Sequence, residues 1–207
     1  MKKILIVILL PFMIVAEEIE LWQAAKLSKP INDTYFLSIE GDFRSYNMGK
    51  QLKYYHGDIG VYFPLIDNFI LGINIREVFE LKGDSFKQEH RPHGTLSTKM
   101  NFGILGFFVR SRFEYRIMPD KDPVIRNRNM VTLKIGKGFT SLKLIPYLAD
   151  EIFYDMEKSD LNRNRFFVGC EIKSISFVKA TMYYMQQNDL KDKKWEPTNV
   201  VGMKFSF

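Results

Sequence analysis

Residues 107–117 run Phe107-Phe108-Val109-Arg110-Ser111-Arg112-Phe113-Glu114-Tyr115-Arg116-Ile117, and their reading decides the fold class. Phe107, Val109, Phe113, Tyr115 and Ile117 share one parity, whereas Arg110, Arg112, Glu114 and Arg116 share the other. A period of two belongs to a β-strand, whose successive side chains point to opposite faces. This strand therefore has an apolar face and a charged face along its whole length.

The pattern recurs on either side. Tyr35, Leu37, Ile39, Gly41 and Phe43 oppose Ser38, Glu40, Asp42 and Arg44. Phe166, Val168, Cys170 and Ile172 oppose Arg165, Gly169, Glu171 and Lys173, and Val201, Met203, Phe205 and Phe207 oppose Gly202, Lys204 and Ser206. No amphipathic helix longer than about two turns stands out, so the class is all-β. Strands are expected at 34–46, 52–63, 68–81, 92–101, 104–117, 127–138, 141–154, 163–174, 177–187 and 197–207. Glu20–Ile31, with Trp22, Ala24 and Lys26, could be one more. Eleven would conflict with the even count of bacterial barrels, so the expectation is ten or twelve.

Composition excludes several classes. The 207 residues are 46% hydrophobic, 14% aromatic and 26% charged, with mean hydropathy −0.16. Such charge density argues against a helical membrane protein, and so many aromatics argue against disorder. A single cysteine, Cys170, rules out a disulfide framework and a four-cysteine zinc site. Residues 1–16 carry Lys2 and Lys3, an apolar run from Ile4 to Val15, and Ala16 before the charged Glu17 and Glu18. This is the pattern of a cleaved secretory signal peptide. Without Lys2 and Lys3 the balance is 28 basic against 24 acidic residues, a net +4. The expected organisation is a leader over 1–16, an N-terminal segment or first strand over 17–33, and a closed, wholly antiparallel barrel over 34–207.

Which face lies inside decides between a soluble barrel and a membrane barrel. A lipocalin-like periplasmic barrel would point its apolar face inward; an outer-membrane barrel would turn it to lipid. Three features favour lipid. The strands are about 10–13 residues long, near the span a membrane strand needs. Their polar faces carry charges of both signs, and aromatic pairs (Tyr54 with Tyr55, Tyr62 with Phe63, Phe153 with Tyr154, Tyr183 with Tyr184) sit near strand ends as interfacial girdles do. Connections are also expected to alternate: short at 64–67, 102–103, 139–140 and 175–176, longer and polar at 47–51, 82–91, 118–126, 155–162 and 188–196.

The last strand, Val201 to Phe207, resembles the assembly signal of bacterial outer-membrane barrels through Met203, Phe205 and the terminal aromatic Phe207. Residues 107–116, the segment from Pro146 to Tyr154 and Arg163 to Gly169 resemble the outer-membrane barrel family catalogued as domain of unknown function 2490. The likeness covers nearly all the chain after the leader. It implies an outer-membrane barrel with no assigned chemistry, cofactor or catalytic residues. It also implies as partners the outer-membrane lipid, with periplasmic chaperones and the barrel-assembly machinery during biogenesis.

The candidate lumen lining is Arg44, Arg110, Arg112, Glu114, Arg116, Arg163, Arg165 and Glu171, with Arg126 and Arg128 in the same arginine-rich set. Such a set could focus anions in a basic lumen. Alternatively, it could pair with Glu40, Asp42, Glu114, Glu151 and Glu171 and fill a narrow interior. His90 and His93, with Glu89 and Ser97 nearby, are the residues on which an outer-membrane lipid hydrolase would rest, but no Gly-x-Ser-x-Gly elbow supports it. Gly136-Lys137-Gly138 lacks phosphate-loop spacing, and charges spread evenly over the strands do not suggest nucleic acid.

Overall fold

The computed structural model describes residues 19–66, 68–119, 121–173 and 177–207; the leader expected over 1–16 lies outside them. Eleven strands form among the described residues: β1 Ile19–Pro30, β2 Phe36–Tyr46, β3 Gln51–Ile66, β4 Phe69–Lys82, β5 Ser85–Phe102, β6 Leu105–Arg116, β7 Val124–Ile135, β8 Leu144–Asp155, β9 Asp160–Ile172, β10 Lys179–Lys191 and β11 Lys194–Ser206. Each pairs with its sequence neighbours, and β1 pairs with β11 to close a barrel.

The segment Glu20–Ile31 is thus a strand, and the total is odd. Consecutive antiparallel strands alternate direction, so an odd set leaves the first and last running the same way. The closing seam is accordingly parallel, from Ile19 opposite Asn199 to Lys26 opposite Ser206. Past the seam's end, the Phe207 N–H donates to the Lys26 carbonyl at 2.9 Å and the Ser28 N–H to the Phe207 carbonyl at 3.1 Å. The even count and the wholly antiparallel wall that the sequence suggested are corrected by this one strand.

The expected alternation of short and long connections also gives way. Stretches 82–91 and 188–196 look like polar loops, yet β4 and β5 meet at a turn over 83–84, and β10 and β11 at one over 192–193. Asp192 and Lys193 both have positive φ, 47° and 64°, the conformation of the tight hairpin turn whose twist suits paired strands. Polarity there marks strands continued beyond the apolar wall rather than chain leaving the sheet. Pro30, Ile66, Phe102, Ile135, Ile172 and Ser206 end their strands at one end, the C-terminal rim; the turns over 47–50, 83–84, 156–159 and 192–193 lie at the far rim.

Alternation sorts the side chains as the apolar-out arrangement requires. Ile39, Phe43, Ile59, Ile73, Ile75, Phe113 and Val131 stand on the outer surface, with Ile73 62% exposed. Polar and charged groups occupy the interior, where Asp58, Asn74, Arg76, Arg112, Glu114 and Glu151 are buried. Parity corrects the aromatic girdles: adjacent residues cannot share a face, so Tyr54, Tyr62, Phe153 and Tyr183 line the interior cavities. Tyr55 stays outside, stacked on Phe79 at 4.8 Å. Three inward tyrosines lie over glycines on the next strand, Tyr62 on Gly72, Tyr147 on Gly169 and Tyr183 on Gly202. A Cβ on Gly169 would come within 2.6 Å of the Tyr147 ring, so the ring uses space that only glycine leaves.

The parallel seam is open to direct test. Ala25 and Phe205 are register partners with outward, exposed side chains. In a Cys170→Ser background, Ala25→Cys with Phe205→Cys is expected to form an intrachain disulfide on mild oxidation. On a denaturing gel that bond makes the chain run faster until reductant is added; a protein with no such shift would refute the seam.

Candidate functional site

The interior charges are organised by three carboxylates on β5, β6 and β8. Glu114, 0% exposed, accepts from Arg126 Nη2 at 2.5 Å and Arg128 Nη1 at 2.7 Å, with Arg112 Nη1 at 3.7 Å. Glu151, 2% exposed, accepts from Arg110 Nη2 at 2.6 Å and Arg128 Nη2 at 2.9 Å, with Arg165 Nη1 at 3.5 Å. Glu89 accepts from Arg91 Nε at 2.8 Å, and from Arg116 through Nε at 2.7 Å and Nη2 at 2.9 Å. Arg128 thereby bridges two carboxylates from neighbouring strands.

Aromatic rings fix these cations in place. Phe153 is 1% exposed and has the guanidinium carbons of Arg126, Arg128, Arg163 and Arg165 at 5.2, 4.5, 5.6 and 4.7 Å from its ring centre. Trp22 holds Arg44 at 3.7 Å and Arg165 at 4.9 Å, while its indole N–H donates to Glu20 at 2.8 Å. A guanidinium lying on a ring keeps its N–H edge available for acceptors, so stacking and ion pairing are compatible.

A second network lies on β2 to β4. Arg76 Nε donates to Asp58 at 2.8 Å, and its Nη2 lies 3.9 Å from Glu40. Lys204 pairs with Glu40, and Arg44 with Asp42 at 2.6 Å. His56 lies 3.8 Å from Glu40 and 3.9 Å from Asp42, and His93 Nε2 lies 3.6 Å from Asp58. Between the charges lies an apolar patch: Trp22, Tyr147, Ala149, Phe167, Met185 and Val200 form one buried cluster across β1 and β8 to β11.

Two cavities approach the middle from the two rims. The far-rim cavity, about 190 Å³, has nine basic lining side chains, Arg116, Arg126 and Arg163 among them, against one acidic, Glu80. The C-terminal-rim cavity, about 490 Å³, reaches the lysines Lys26, Lys99, Lys134, Lys179 and Lys204. Both touch Trp22, Arg44, Arg76, Arg128 and Arg165, which form a belt between them.

The sequence-chosen residues fall as follows. Arg44, Arg116, Arg163 and Arg165 line the far-rim cavity, and Arg110, Arg112 and Glu171 the other. Glu114 lies buried behind its arginines, Arg163 pairs with Asp189, and Glu171 accepts from Lys134 at 2.5 Å. Met203, Phe205 and Phe207 share the outer parity of β11. Sequence reading places 82–91 in a loop, so it names Glu89 only beside the histidines and does not assign it or Arg91 to the lumen; His90 and Pro92 give that part of β5 no bulky apolar face. It names Trp22 only within a possible first strand and places Phe153 in an outer girdle, so neither is read as an interior platform. Ser97 and His93 share a face but stand apart from His90, which points outward and pairs with Glu77 at 2.7 Å.

An apolar wall around a charged, ion-paired interior defines a closed barrel of porin-like architecture. Among solved structures the chain is similar to a NanC porin, with TM-score 0.53 and 11% identity over 92% of this chain and 99% of that one. No curated protein matches the chain. The chain belongs to the family described as Protein of unknown function (DUF2490), whose model matches residues 19–197.

Breaking the network from its acidic side should weaken the barrel. Glu114→Gln leaves Arg126 and Arg128 short of a buried counter-charge, with an expected loss of about 3–5 kcal/mol. The measurement is the urea midpoint of the detergent-folded barrel. Lys191→Gln, at the exposed pair with Glu196, should shift stability by less than about 0.5 kcal/mol. Equal effects of the two changes would contradict a structural role for the buried network.

Proposed function

We propose that the protein is a narrow, pore-type barrel of the outer membrane that carries out no chemistry of its own. The observation that supports this reading is the pair of charge-lined cavities meeting at an ion-paired belt, inside a wall whose outer face is apolar. Backbone pairing around a closed barrel and an apolar surface suit a lipid environment, which tolerates neither sheet edges nor bare charges. Met203, Phe205 and Phe207 on the final strand would be read by the barrel-assembly machinery after chaperoned passage through the periplasm. Against an enzyme stands the separation of His90 from His93 on opposite faces of β5, which denies the one serine considered, Ser97, an assembled base and orienting group.

Passage would go through the belt, so conductance is set by side chains rather than by barrel diameter. Purified protein in planar bilayers should give small, discrete current steps that favour anions. Trp22→Ala removes the ring on which Arg44 and Arg165 lie and should raise the step size about twofold or more. Cation preference would refute the basic-lumen reading, and no steps from either protein would refute the pore. Recovery in the soluble periplasmic fraction, without heat-modifiable gel mobility, would refute the membrane location.

A further inference from the structure

The two interior networks differ in charge balance. Around Glu40, Asp42 and Asp58, three anions meet three cations, Arg44, Arg76 and Lys204. Around Glu89, Glu114 and Glu151, three anions meet seven cations, Arg91, Arg110, Arg112, Arg116, Arg126, Arg128 and Arg165. Seven against three leaves four positive charges unmatched by any carboxylate of the network. Each arginine shares a carboxylate with others, but a buried excess of one sign is unfavourable, and a bound anion relieves it.

The excess also has a direction. The three carboxylates sit behind the guanidiniums, each with a side chain at most 6% exposed, whereas Arg91, Arg116, Arg126, Arg128 and Arg165 line the far-rim cavity. Phe153 and Trp22 each hold guanidiniums close to their rings, so the donors are arranged before any ligand arrives. Arginine forks match carboxylate and phosphate oxygens two at a time.

We infer that the far-rim cavity is a binding site for a small soluble polyanion, one with two or more phosphate or carboxylate groups. The inference rests on the barrel-interior reading above but needs no conduction. Its test uses detergent-folded barrel carrying Trp195→Phe, which leaves Trp22, at the cavity floor, as the single tryptophan. Titration with pyrophosphate, and separately with citrate, should give a saturable change in Trp22 emission and a one-to-one calorimetric isotherm. Acetate should bind at least tenfold more weakly, and added salt should weaken all three. Arg91→Gln and Arg126→Gln should each reduce pyrophosphate affinity tenfold or more. Lys134→Gln, in the other cavity, should leave it within twofold.

Absence of saturable binding by both probes would overturn the proposal, as would an equal loss with Lys134→Gln. If Arg126→Gln does not fold, as judged by heat-modifiable mobility, Arg91→Gln and the acetate comparison still decide. A barrel that binds pyrophosphate but passes no current keeps the site and discards the pore; a conducting barrel without binding does the reverse.

Discussion

Closure of the backbone ladder is the constraint on which everything else depends. A sheet whose outer face is apolar cannot leave an edge of bare N–H and C=O groups, so the first strand must meet the last. Eleven strands make that meeting parallel, and a parallel pair is slightly weaker per residue than an antiparallel one. The register adopted keeps facing parity consistent, with Trp22 beside Gly202 and Ala24 beside Lys204, all inward. A slip of one residue would expose Trp22 and Lys26 to the apolar surroundings and bring their outward neighbours into the interior.

Closure then fixes what the interior must accommodate. An outer face of isoleucine, phenylalanine and valine leaves the other parity for charge, and a barrel this narrow brings those charges within contact distance. Ion pairs in such a place stabilise only when the acceptors are filled, and Glu114 and Glu151 meet that condition by each taking several donors. The apolar cluster around Met185 and Val200, both 0% exposed, fills part of the interior across β1 and β8 to β11, beside charges such as Glu151 and Arg165 on the same strands. The interior therefore combines a small packed patch with an ionic network that runs round the rest of it.

Much of this architecture was legible in sequence, for a physical reason. Where the outer face is bulky, as at 107–117, period two is unmistakable and places Arg110, Arg112, Glu114 and Arg116 on one face. Where the outer parity of β5 carries His90 and Pro92, the first part of that strand reads as a polar loop over 82–91, and Glu89 with Arg91 drops out of the expected lumen. Hydrophobicity alone also misplaces Trp22 and Phe153, because an aromatic ring serves equally as a lipid contact and as a platform for a guanidinium. Strand parity does not say which arginine meets which carboxylate across the lumen. The seven-to-three imbalance depends on that, so it emerged only with three-dimensional pairing.

The choice of arginine over lysine follows from this double duty. Arg128 gives Nη1 to Glu114 and both Nη2 and Nε to Glu151, lies on Phe153, and still lines both cavities. A lysine ammonium is a compact point charge without a planar face or separate forks, so it could satisfy one carboxylate but not bridge two while stacked. Of the lysines lining the two cavities, Lys53 alone faces the far-rim one and Lys26, Lys99, Lys134, Lys179 and Lys204 face the C-terminal-rim one, where Lys134 and Lys179 share Glu171 and burial is lighter. Where the interior is tightest, the group that holds the structure together also faces the cavity. Any change of selectivity at the belt is therefore tied to a change in stability, whereas the lysine rim can vary more freely.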